Sequence, residues 1–149
     1  MTITFEQFSE ANRKRCESPD GFNNNINDWD TSDWFLAILG ELGEAANVGK
    51  KLNRVRDGIP GNKQTPDELR AKLKKELGDV FVYLDLTAQA HGFNIIDAVI
   101  DVFNTKSEEI GYPHKIGGDP LRKNPVVGFM SEKQANGILE EMRQERRGS

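Results

Sequence analysis

Cysteine, histidine, excess basic charge and long apolar runs are all scarce in this 149-residue chain. The single Cys16 excludes an intramolecular disulfide, and with His91 and His114 as the only histidines it has no local partner for nucleophilic catalysis. There is no run of 18 apolar residues and no charged-then-apolar leader, so a soluble, cytoplasmic protein without a membrane partner is expected. The net charge of -4 argues against a broad nucleic-acid surface, which would show as a basic excess. A P-loop is missing, so any phosphate must be met by metal and basic side chains. No segment alternates apolar and polar residues at period two, which leaves an all-α chain of a length suited to one domain, residues 1–149.

What is present is a repeated acid pattern, Glu41-Leu42-Gly43-Glu44 and Glu76-Leu77-Gly78-Asp79. Residues three apart on a helix share a face, so each pair projects together. The flanking residues are those of a core: Trp34, Ala37, Ile38, Ala45 and Val48 around the first pair, Leu73, Val80 and Tyr83 around the second. Four ionised carboxylates converging there would repel one another and lose hydration at several kcal/mol per charge, roughly, unless a cation sat between them. Oxygen-only ligands favour a hard cation, Mg²⁺ first and Mn²⁺ second. Gly40, Gly43 and Gly78 each precede an acid and each costs about 0.8–1 kcal/mol in a helix interior, which suits close helix approach or room for a ligand. Di-iron chemistry is set aside, because neither pair contains the required Glu-x-x-His.

Around these pairs the sequence predicts four main helices. A short first helix runs from Thr4 to about Cys16, and a long Asn-rich loop carrying Phe22, Ile26 and Trp29 follows. The second helix spans about Asp33 to Arg56, with Thr31 or Ser32 as its cap. Thr65, Pro66 and Glu68 form a capping box that starts the third, which ends near His91 before Gly92. Asn94 caps a fourth helix with an apolar stripe of Ile96, Val99, Ile100, Phe103 and Ile110, closed by Gly111 and Pro113. Residues 114–147 read as an extended arm and a short C-terminal helix opened by Ser131 and Gln134.

Lys51 lies seven residues past Glu44, about 10.5 Å along the same line of the helix, where a metal-bound phosphate chain would reach it. Arg54 adds charge near that end, and Asn104 is an amide able to bond a phosphate or sugar. Trp34, seven residues before Glu41, could stack a base or could be a core aromatic. Asn12, Trp29 and the asparagines from Asn23 to Asn27 could read base edges, although loop asparagines are usually turn formers.

The stretch Gly40-Glu41-Leu42-Gly43-Glu44, followed by Glu76-Leu77-Gly78-Asp79-Val80-Phe81-Val82-Tyr83-Leu84-Asp85, resembles the ExxE…ExxD signature of the all-α nucleoside triphosphate pyrophosphohydrolases, MazG-like branch. The resemblance covers roughly residues 30 to 113. It implies a four-helix-bundle-like core and cleavage between the α and β phosphates, giving a nucleoside monophosphate and pyrophosphate. It also implies Mg²⁺ held by Glu41, Glu44, Glu76 and Asp79, and a homodimer or homotetramer. Glu44, with Glu41 as the other catalytic acid, is the first choice for taking a proton from the attacking water. Two tryptophans and several amides lean the base toward a purine, dGTP or dATP. The competing reading is a catalytically silent helical module that binds a nucleotide or a partner.

Overall fold

The computed structural model describes residues 3–117, among which there are four helices and no strand. They are α1 (Phe5–Glu17), α2 (Thr31–Arg56), α3 (Pro66–Ala90) and α4 (Ile95–Glu109). The chain divides into two compact units, one reaching to Val99 and one beginning at Ile100. The expected C-terminal helix near Ser131 lies outside the described residues.

Each helix begins where a side chain can satisfy its free N–H groups. Thr4 caps α1, its hydroxyl accepting from the Gln7 N–H at 3.2 Å while the Gln7 side chain accepts from the Thr4 N–H at 3.0 Å. Thr65 caps α3 reciprocally with Glu68, and Pro66 occupies the first turn, as the sequence predicts. The cap of α2 differs from expectation. It is Asp30, whose N–H donates to the Asp33 carboxylate at 3.0 Å, and the Thr31 hydroxyl lies instead 3.3 Å from His91 Nε2. Asn94 accepts from the Ile96 N–H at 2.8 Å at the start of α4. Gly92, at φ 75°, takes the left-handed turn that stops α3.

In the first unit α2 and α3 form the main helix pair and α1 packs on α3. Going forward on α2 from Glu41 to Glu44 moves back on α3 from Asp79 to Lys72, so the two run antiparallel. The core gathers Cys16, Ile26, Trp34 and Leu86, with Val82, Tyr83 and Ala90 against it. The Asn-rich loop is built by turns. Asn23 adopts φ 51°, and the Asn25 side chain accepts from the Asn27 N–H at 2.9 Å. Gly21 is obligatory there, because a Cβ would lie 2.0 Å from the Arg15 carbonyl oxygen.

α1 is held to α3 by a buried polar knot that the sequence did not announce. The Asp85 carboxylate, 1% exposed, accepts from the Ser9 hydroxyl at 2.7 Å and from the Asn12 and Gln89 amides, both at 2.9 Å. Asn12 also donates to the Val82 carbonyl at 3.0 Å and accepts from Arg15 at 3.1 Å. Rings add to the joint, with Phe5 and Phe8 set 6.2 and 5.7 Å from Phe81. Of the expected apolar stripe, Val99 and Phe103 on α4 and Ile110 just past its end are exposed, and the buried residue of α4 is Ser107.

Candidate functional site

The antiparallel run of α2 against α3 brings the two acid motifs face to face. One carboxylate oxygen from each of Glu41, Glu76 and Asp79 lies within 4.8 Å of the others. Glu76 is the deepest, 1% exposed in the middle of α3. A carboxylate so buried needs positive charge beside it. Lys75 supplies part of it, its ammonium 2.7 Å from Asp79 and 3.5 Å from Glu76. Lys72 lies 3.9 Å from both Glu76 and Glu44. Burial raises the pKa of Glu41 above the ordinary carboxylate range, and the charge on Asp79 raises it further against the opposing pull of Lys75.

Glu44 stands apart from the other three acids. Its side chain is 60% exposed, and it faces Lys72 at the mouth of a groove of about 590 Å³ lined by Asn47, Lys50, Lys51, Arg54 and Asn62. The four-acid set expected from the sequence is therefore a close trio plus one outlying carboxylate. Lys51 and Arg54 both line this groove, where Lys51 is steadied by Gln64 at 3.0 Å and the Asn62 amide donates to its carbonyl at 2.8 Å. Gly40, Gly43 and Gly78 have no atom within 4 Å of where a Cβ would stand, so among the described residues they leave open space rather than a tight helix crossing.

The trio fits a hard divalent cation in its chemistry, since every donor is a carboxylate oxygen and one of them is buried.

Three expected substrate contacts have other roles. Trp34 is 1% exposed and belongs to the core, so the core-aromatic alternative holds for it. The Trp29 ring leans on it at 4.7 Å and is the exposed member of the pair. Asn12 is not free to read a base, because its amide is engaged by Asp85, Val82 and Arg15. The amide of Asn104, in the second unit, is occupied by the backbone of Ile116, donating to its carbonyl and accepting from its N–H, both at 2.9 Å. Sequence reasoning left Lys72 and Lys75 unassigned and gave Asp85 no role beyond its place in the motif stretch, although an acid between the apolar residues of Val80 to Ala88 was a signal that it needed buried donors.

This chain is similar to a named nucleotide hydrolase. It is 34% identical over 104 residues to the dCTP pyrophosphatase 1 of Mus musculus, an alignment that covers 68% of this chain. The chain spans 58% of the length of that relative. No family model and no solved structure matches it. Among the described residues no helix is long and apolar enough to cross a membrane.

Proposed function

We propose that this chain is a member of the all-α nucleoside triphosphate pyrophosphohydrolases that cleaves a deoxynucleoside triphosphate to the monophosphate and pyrophosphate. The observation that carries the reading is the meeting of Glu41, Glu76 and Asp79 within 4.8 Å, one of them buried, beside a groove lined with lysine and arginine. The likeness to a dCTP pyrophosphatase supports the same reaction. In this reading Glu41, Glu76 and Asp79 hold Mg²⁺, with Mn²⁺ as the substitute. A bound cation supplies positive charge to a phosphoryl oxygen and to the attacking water. Glu44, exposed and outside the trio, takes the proton of that water. Water adds to the α phosphorus, the bond to the bridging oxygen breaks, and pyrophosphate leaves toward Lys51 and Arg54, which match its charge.

The lean toward a purine rested on two tryptophans and several amides, and the burial of Trp34 and the engagement of the Asn12 amide remove part of that support. Trp29 remains as the exposed ring beside it, and the likeness to a dCTP pyrophosphatase favours a cytosine nucleotide. We therefore take dCTP as the first substrate to test. Four large side chains on α2, Phe35, Leu36, Leu39 and Leu42, are 47–66% exposed, which supports assembly with a second copy. The experiment is a substrate profile: the four deoxynucleotides and their ribose forms, each with Mg²⁺, followed by pyrophosphate release. Turnover of dCTP above the others is expected. A purine preferred more than tenfold would overturn the base assignment, and no pyrophosphate from any nucleotide would favour the silent binding module.

A further inference from the structure

Lysines 72 and 75 occupy an unusual position relative to the acid trio. Each oxygen of the buried Glu76 carboxylate has its own lysine, with Oε1 3.9 Å from Lys72 and Oε2 3.5 Å from Lys75. The same two ammonium groups reach two of the other three acids, Lys72 the Glu44 carboxylate on the opposite helix and Lys75 the Asp79 carboxylate. Two lysines carry the charge of one divalent cation. Ordinary exposed i,i+4 pairs do little for a helix. These differ because their shared acceptor is 2% exposed in its side chain, where unneutralised charge is expensive.

The lysine side chains are far more open than the Glu76 carboxylate they share, 41% exposed for Lys72 and 68% for Lys75 against 2%. A flexible four-carbon stem lets an exposed ammonium change partner without moving the helix. Lys72 also lines the groove that holds Lys51 and Arg54, so it borders both the carboxylates and the place assigned to the phosphates.

We propose that Lys72 and Lys75 are resident counter-ions of the acid cluster, which neutralise Glu44, Glu76 and Asp79 in the empty protein and turn to the substrate's phosphates when a divalent cation takes the carboxylates. This rests on the metal and phosphate reading above. It makes the lysines competitors of the cation in the free protein and its allies once a nucleotide is bound. Because the two equilibria share the same charges, substrate and cation tighten each other's binding reciprocally.

The test is calorimetric titration of the full chain with MnCl₂ and with MgCl₂, for the wild type, Lys75→Gln, Lys72→Gln and the charge-keeping Lys75→Arg. Without nucleotide, Lys75→Gln should bind the cation threefold to tenfold more tightly than the wild type, with Lys75→Arg close to the wild type. In the presence of cation, pyrophosphate should bind at least fivefold more weakly to Lys72→Gln. Cation affinity that is unchanged or weaker in Lys75→Gln overturns the counter-ion role while leaving the acid cluster intact. If the wild type takes up neither cation, the metal reading itself fails. A melting curve of each variant without metal confirms that it is folded.

Discussion

Removing the Asp85 carboxylate should loosen α1 from the rest of its unit. In Asp85→Ala three hydrogen bonds to a charged, buried acceptor vanish, from Ser9, Asn12 and Gln89. Each is worth about 1.5–3 kcal/mol when its partner is ionised. The loss is partly offset, because Asn12 keeps the Val82 carbonyl and Gln89 keeps the Ser9 carbonyl and hydroxyl. Removing a buried charge also recovers its desolvation cost. A net loss of about 3–5 kcal/mol follows, or about 6–20 °C in melting temperature for a chain of this size. Asp85→Asn keeps one acceptor oxygen and should lose roughly half as much. The assay is thermal unfolding by circular dichroism together with hydrogen exchange, in which the amides of α1 should lose protection first. A melting temperature within about 2 °C of the wild type would show that the Phe5, Phe8 and Phe81 rings alone hold α1, and would refute the reasoning.

Trp34→Ala should lower stability by about 3–5 kcal/mol as a core truncation, a loss visible in denaturant unfolding even without nucleotide; an unaltered midpoint would restore Trp34 as an open platform. The carboxyl of Glu41, raised by burial and by Asp79, binds its proton more tightly folded than unfolded. Its ionisation therefore lowers stability as pH rises from the ordinary carboxylate range through the raised value, and protonation restores it. Glu41→Gln should abolish that fall, and the difference between wild type and variant across pH checks the sign. Leu39→Lys, in the exposed apolar face of α2, should shift the sedimentation coefficient toward that of a monomer; a wild type already monomeric would rule out assembly through this face.

The features that were legible from the sequence were local ones. Thr65, Pro66 and Glu68 carry their own geometry, and the start of α3 fell where they put it. The acid motifs were equally plain, because a three-residue spacing on a helix needs no knowledge of the rest of the chain. The first cap of α2 went astray by one residue because Asp30 and Asp33 form a box of their own next to the better-known Thr31 and Ser32. Burial was legible only where periodicity fixed it. Trp34 shares a helix line with Glu41, but which neighbour covers that line depends on Cys16, Ile26 and Leu86, brought together by tertiary folding. Asn12 finds Asp85 across 73 residues of sequence, a pairing no local pattern encodes. Lys72 and Lys75 had no assignable role in the sequence, because the burial of Glu76 and the approach of Glu44 to Lys72 depend on how α2 packs on α3.

The central claim is metal-dependent cleavage between the α and β phosphates at the Glu41, Glu76 and Asp79 cluster. The direct measurement is phosphorus NMR of dCTP incubated with the protein and Mg²⁺, run in parallel with Glu76→Gln and with the wild type plus a chelator. Resonances of dCMP and pyrophosphate should grow with the wild type alone and be absent from both controls. Formation of dCDP and orthophosphate, or undiminished turnover by Glu76→Gln, would contradict it.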